Sequence, residues 1–246
     1  MENGKYKKND KLKLCIALDN PTKEENLKLI NELKEYADNL WLKVGFRSYI
    51  RDGNDFIKYL KNMGYNIFLD LKLYDIPNTM ADAALEIAKL GVDMFNVHAS
   101  AGKRAMQEVI KRLQNLKKRP LVLAVTALTS FDDEEFKKIY SKSIKEKAKE
   151  FAIDAYESGL DGVVCSVYES KEIKEATNQN FITLTPGIRP FKEESEDQKR
   201  VADIKTAKSN LVDFIVVGRP IYKSKNPKKV VEKILKEILW KNFYYH

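Results

Sequence analysis

The stretch Asn66-Ile67-Phe68-Leu69-Asp70-Leu71-Lys72-Leu73-Tyr74-Asp75-Ile76-Pro77-Asn78-Thr79 runs from an apolar segment through a charged turn toward a helix. Asn66 to Leu71 reads as a strand, so Asp70 and Lys72, two residues apart, project from one face of its carboxyl end. A carboxylate and an ammonium then share one small space. Asp75 follows on a turn that Pro77 stiffens, and Asn78 or Thr79 is placed to cap a helix starting near Met80. The bare spacing Asp-x-Lys-x-x-Asp also fits a solvated, ion-paired strand end, so the rest of the chain must decide.

Outward from that stretch, strand-like runs recur at Lys13 to Asp19, Leu40 to Gly45, Val92 to His98, Pro120 to Thr126, Asp161 to Val167, Phe181 to Thr185 and Val212 to Gly218. Amphipathic segments fill the gaps. Thr22 to Tyr36 sets Leu27, Ile30 and Leu33 on one face, and Met80 to Leu90 ends at Gly91. Strands alternating with helices imply a parallel sheet, and eight such units favour a closed (β/α)8 TIM barrel over an open doubly wound sheet. Asp132 to Ser158 is expected to contain a break or a long loop. The expected organisation is a flexible basic segment over 1–11 and one barrel domain over 12–246, with no low-complexity segment and no repeat beyond the structural one. A chain of 246 residues with 43% hydrophobic content suits a single barrel.

The net charge of +8 would suit nucleic acid or an anionic small molecule, but the 44 basic and 36 acidic residues are interspersed and read mostly as solvated helix faces. No RNA or DNA module signature is present. The aromatic, basic end Trp240-Lys241-Asn242-Phe243-Tyr244-Tyr245 follows Ile234, Leu235 and Ile238, which read as a final barrel helix, so no nucleic-acid partner is expected. Cys15 and Cys165 fall in apolar runs as buried thiols, which fits a reducing cytoplasm. No apolar run approaches the ~20 residues of a membrane span and the start lacks an apolar signal core. A cytoplasmic, soluble protein with no membrane partner is expected.

In such barrels the site lies at the carboxyl ends of the strands. Asp19, Lys43, Asn96 and His98 gather there beside Asp70 and Lys72. The turns Thr185-Pro186-Gly187-Ile188-Arg189-Pro190 and Val217-Gly218-Arg219-Pro220 each pair a glycine, which lets backbone N–H groups approach an oxyanion, with an arginine that adds a bidentate contact. They follow the seventh and eighth strands, where barrels frequently bind phosphate, so a phosphorylated small substrate is expected. The only other histidine is His246, and neither cysteine has a ligand partner at metal spacing, so no metal site is expected. No Gly-x-Gly-x-x-Gly dinucleotide fingerprint and no serine nucleophile elbow occur.

These residues, over nearly the whole chain, resemble the bacterial branch of the orotidine 5′-monophosphate decarboxylase family. The resemblance rests on Ala17-Leu18-Asp19, Lys43-Val44-Gly45, Asp70-x-Lys72-x-x-Asp75-Ile76-Pro77-Asn78-Thr79, Val97-His98-Ala99, Val125-Thr126-x-Leu128-Thr129-Ser130, Thr185 to Pro190, Asp197-Gln198-Lys199-Arg200 and Val217 to Pro220. Hexulose-phosphate synthase and its relatives share Asp-x-Lys-x-x-Asp but not the Ile-Pro-Asn-Thr that follows. The resemblance implies cofactor-free decarboxylation of orotidine 5′-monophosphate to uridine 5′-monophosphate. Lys72 would protonate C6 of the pyrimidine, within a charge network of Lys43, Asp70 and Asp75. Asp19 and Lys43 would touch the ribose, Thr129 and Pro186 the pyrimidine, and Arg189, Gln198, Gly218 and Arg219 the phosphate. Asp75, Ile76 and Thr79 would reach into a partner subunit's site, implying a homodimer. Two departures stand out: Phe46-Arg47 where relatives often carry a glutamate, and Asn210 in place of a glycine usual before the last strand. A metal-dependent decarboxylase or aldolase of a sugar phosphate is the nearest rival.

Overall fold

The computed structural model describes residues 12–191 and 200–239; the expected basic segment over 1–11 lies outside them. Eight parallel strands close into one barrel in sequence order: β1 (Lys13–Ala17), β2 (Leu40–Gly45), β3 (Asn66–Leu73), β4 (Met94–His98), β5 (Leu121–Val125), β6 (Gly162–Val164), β7 (Ile182–Thr185) and β8 (Phe214–Val217), with β8 pairing back onto β1. Around them run α1 (Lys23–Glu32), α2 (Phe46–Asn62), α3 (Pro77–Lys89), α4 (Lys103–Leu113), α5 (Asp133–Tyr140), α6 (Ile144–Glu157), α7 (Val167–Ala176), α8 (Ile204–Ser209), the single turn α9 (Arg219–Tyr222) and α10 (Pro227–Leu239). The eight expected strands all form, and the barrel is the expected one.

Local chemistry moves several boundaries. α3 starts at Pro77 rather than near Met80, and neither Asn78 nor Thr79 caps it. Proline at the first helical position lacks an N–H that would have no intrahelical partner anyway, and its fixed φ suits the helix. The strand expected over Asp161 to Val167 stops at Val164, because Ser166 and Glu169 form a capping box that draws Val167 into α7. The segment expected over Thr22 to Tyr36 ends its α-helix at Glu32 and continues as a tight 3-10 helix over Lys34–Asn39. Between α5 and α6 the chain breaks at Ser141, whose φ is 57°, and restarts at the Ser143–Glu146 capping box.

Strand alternation sorts the core into two layers. Leu14 and Ile16 of β1, Leu42 and Val44 of β2, and Ile67 and Leu69 of β3 face the helices. Cys15, Trp41, Phe68, Met94 and Phe214 fill the barrel interior, where the Trp41 and Phe214 rings meet edge to face at 5.1 Å. Two residues further along their strands the same inward face carries Lys43, Asp70 and Asn96. The apolar plug is thus the floor of a polar site at the carboxyl end.

A short repeat precedes β4, β6 and β8: Gly91-Val92-Asp93, Gly159-Leu160-Asp161 and Leu211-Val212-Asp213. Each aspartate carboxylate accepts a backbone N–H from the preceding odd strand, from Ile67 at 2.9 Å, Val122 at 2.8 Å and Thr183 at 2.8 Å. Each also meets a cation, Lys61, Arg119 or the buried Lys174. Each aspartate carbonyl accepts an N–H from the next odd strand, Leu121, Ile182 or Lys13. One residue therefore ties three strands, three times around the floor of the barrel. The first residue of each triplet is left-handed, with φ of 75° at Gly91, 83° at Gly159 and 59° at Leu211. The departure read at Asn210 therefore belongs to its neighbour: Asn210 has φ of −95°, and Leu211 occupies the position that favours glycine.

Candidate active site

A cavity of about 520 Å³ opens at the carboxyl end of the barrel. Its charged wall comes from the first three strands. Lys43 Nζ lies 3.4 Å from Asp19 Oδ2 and 3.3 Å from Asp70 Oδ2, while Lys72 Nζ donates to Asp70 Oδ1 at 2.6 Å. Asn96 on β4 completes the shell: its amide donates to Asp70 Oδ1 at 2.8 Å, and its own oxygen accepts the Lys72 backbone N–H at 2.7 Å. Asp70 is therefore gripped by two ammonium groups and an amide.

The two lysines reach Asp70 by different backbones. Lys43 lies in a regular strand, beside Gly45, where an added Cβ would stand 3.0 Å from the Lys43 ammonium. Lys72 sits where β3 slips register against β4, between Leu69 and Leu73, and its φ is 46°. A left-handed lysine in a bulge departs from the simple two-residue alternation read in the sequence; such outliers cluster at functional sites. The backbone bond to Asn96 holds it there.

Burial alone would raise the Asp70 carboxyl, but Lys43 and Lys72 outweigh it and hold it at about 2. Burial likewise pushes the Lys43 ammonium down, yet Asp70 and Asp19 lift it above the ordinary lysine value. Asp70 and Lys43 are therefore both charged at neutral pH. His98 is pushed down by burial and by the Lys72 charge; its Nδ1 accepts the Ser100 N–H at 3.2 Å and its ring stacks on Tyr74 at 5.8 Å.

The opposite wall comes from the later loops. Thr129, Pro186, Arg189, Gly218 and Arg219, the residues expected at the pyrimidine and the phosphate, all line the cavity. Gly187, with φ of 79°, turns the chain after β7 so that Arg189 folds back, and that arginine is 6% exposed. At Gly218 a Cβ would meet the Cβ of Ala17 at 3.3 Å, so a side chain there would crowd the cavity wall. Gln198 lies outside the described residues.

Three expected site residues stand apart. Asp75, Ile76 and Thr79 are exposed and do not line this cavity; among the described residues Asp75 accepts only the Ile76 N–H, at 2.7 Å. Conversely, Arg47 lines the cavity and donates to the Asp19 carbonyl at 3.2 Å, and the Phe46 ring lies 5.5 Å from the Lys72 ammonium. The sequence marked both only as departures from a pattern. Among the described residues no group of three or more His, Cys, Asp and Glu side chains is placed to hold a metal ion, and no helix is long and apolar enough to cross a membrane.

The chain is similar to known proteins over nearly its whole length. The family model described as orotidine 5′-phosphate decarboxylase / HUMPS family matches residues 12–234. An orotidine 5′-phosphate decarboxylase of Nautilia profundicola is 74% identical over 227 residues, covering 92% of this chain and 99% of that protein. Among solved structures, orotidine 5′-phosphate decarboxylase from Lactobacillus acidophilus is 35% identical with a TM-score of 0.82, covering 93% of this chain and 100% of the other. The Methanocaldococcus jannaschii orotidine 5′-monophosphate decarboxylase, solved with the inhibitor BMP, is 26% identical with a TM-score of 0.74, covering 94% and 100%. With its barrel, its strand-end lattice and these relatives taken together, the chain belongs to the orotidine 5′-phosphate decarboxylase / HUMPS family.

Proposed function

We propose that Lys72 is the acid of a cofactor-free decarboxylation. The chain converts orotidine 5′-monophosphate to uridine 5′-monophosphate and CO₂, the last step of de novo UMP synthesis. Loss of CO₂ from C6 leaves an in-plane carbanion that the ring cannot delocalise as an enolate, so a fixed cation aimed at C6 is the available stabiliser. The observation that carries this reading is the Lys43–Asp70–Lys72 lattice on the cavity wall. Because Asp70 and Asn96 hold Lys72 before substrate arrives, the charge needs little reorganisation as the carbanion forms. Thr129 and Pro186 face the pyrimidine, Asp19 and Lys43 the ribose, and Gly218, Arg189 and Arg219 the phosphate, with Gln198 assigned there from the sequence.

The protein acts as a cytoplasmic homodimer with shared sites. Asp75 stands outside its own cavity between Tyr74 and Ile76, which are 65% and 67% exposed, and Phe46 and Ile50 add 52% and 79% exposed apolar side chains. Covering Tyr74 and Ile76 with a second copy would carry Asp75 toward that copy's lattice. The test is ultraviolet measurement of orotidine 5′-monophosphate consumption before and after exhaustive chelation. Activity that survives chelation supports the reading; activity abolished by chelator and restored by magnesium would move the protein to the sugar-phosphate branch of its family.

A further inference from the structure

Arg200 does not line the cavity, yet it joins the segments that do. Its Nη1 is ion-paired with Glu169, and its Nη2 donates to the carbonyl oxygens of Ala127 and Leu128, both at 3.3 Å. Glu169 is 8% exposed, and its other oxygen accepts the Ser166 N–H at 2.9 Å in the first turn of α7. The next two residues continue the attachment. The Val201 carbonyl accepts the Tyr168 hydroxyl at 3.0 Å. Ala202 pairs with the β7 loop in both directions, accepting the Arg189 N–H at 2.9 Å and donating to the Gly187 carbonyl at 3.2 Å.

Arg200, Val201 and Ala202 thus fasten three pieces together: the loop after β5 that carries Thr129, the amino end of α7, and the loop after β7 that carries Arg189. We propose that Arg200 is a positioning residue that fixes the spacing between the pyrimidine-side arm at Thr129 and the phosphate-side arm at Arg189, braced on the buried Glu169. A substrate gripped at its phosphate then meets Thr129 and Lys72 in register, without Arg200 touching it. An error of about 1 Å in such alignment can cost roughly 10²-fold in rate. Arginine suits the task because its planar fork spans a carboxylate and two carbonyl oxygens at once, which a lysine ammonium cannot do.

The test compares kcat and KM for orotidine 5′-monophosphate and for orotidine, which lacks the phosphate, in wild type, Arg200→Met, Arg200→Lys and Glu169→Gln, with Tm measured for each. Arg200→Met is expected to lower kcat/KM on the phosphorylated substrate by about tenfold, the size of one charge-assisted hydrogen bond, and to leave orotidine within about twofold. The ratio between the two substrates therefore falls. Arg200→Lys and Glu169→Gln should fall between, since each keeps part of the brace. Equal losses on both substrates that follow Tm, or no loss on either, would overturn the proposal. If Arg200→Met does not fold, Glu169→Gln, which keeps the cap on α7, decides by the same ratio.

Discussion

Lys72 Nζ meets Asp70 Oδ1 at 2.6 Å across a strand bulge, and the other oxygen of Asp70 is 3.3 Å from Lys43. One carboxylate therefore compensates two cations. Its carboxyl is held at about 2, below its ordinary 3.8, so the folded state binds that proton less readily than the unfolded chain. By linkage, the stability that Asp70 contributes is fully present above about pH 4 and is lost as the pH falls through about 2. Asp70→Asn should lower the urea midpoint at neutral pH, because Lys43 and Lys72 lose their common partner. The gap from wild type should close as the pH drops toward 2. Urea denaturation at several acidic pH values checks this; a gap that stays constant would show that the Asp70 charge does not carry it.

Much of this site was legible before the structure, and the reasons are local. Strand ends are the only places in a barrel where charged residues can leave an apolar run on the inner face, so Asp19, Lys43 and Asp70 declared themselves by position. The bulge at Lys72 did not, because periodicity assumes a regular strand and nothing in Leu71-Lys72-Leu73 announces a left-handed φ. Nor did the partnership of Asn96 with both Asp70 and Lys72, which depends on the register between β3 and β4. The aspartates before β4, β6 and β8 were visible as residues, but their common role required knowing which odd strand each one faces.

Leu211 offers a stability test independent of the chemistry. It holds φ of 59° with 47% of its surface exposed, at the place where Gly91 and Gly159 open the other two triplets. A left-handed conformation costs a non-glycine residue about 1–2 kcal/mol, offset in part by the greater unfolded-state entropy of glycine. Leu211→Gly should therefore raise stability by about 0.5–1 kcal/mol and leave kcat/KM unchanged. Gly91→Ala should do the opposite, since an added Cβ meets nothing within 4 Å there and only the φ of 75° penalises it. Urea unfolding of both variants measures the pair, and a destabilised Leu211→Gly would mean that the side chain's packing outweighs the backbone strain.

Arg219 should make the phosphate contribute to chemistry as well as to binding, since binding energy from a remote group can be used to order the reacting centre. Arg219→Ala is expected to reduce kcat/KM on orotidine 5′-monophosphate by about 10²-fold, the loss of a bidentate charge contact, and to affect orotidine far less. Orotidine itself should show a lower kcat than the nucleotide with the wild-type enzyme. Steady-state kinetics on both substrates decide it: equal losses on both would remove Arg219 from phosphate recognition.

The position of Asp75 gives the strongest test of the shared site. It lies three residues beyond Lys72, yet it is exposed and makes no ion pair among the described residues, while Pro77 at the first position of α3 fixes how the segment leaves the barrel. If Asp75 completes the lattice of a partner, Lys72→Ala and Asp75→Ala homodimers should each lose about 10²-fold or more in kcat, because either change removes a preorganised charge from both sites. Mixing the two variants under conditions that exchange subunits creates heterodimers with one doubly altered site and one intact site. The intact site takes Lys72 from the Asp75 variant and Asp75 from the Lys72 variant. Activity should then recover to about half that of wild type per heterodimer, since one of two independent sites is whole. Native mass spectrometry would count the heterodimers; if they form while activity stays at the level of the single variants, Asp75 serves its own chain and the site is not shared.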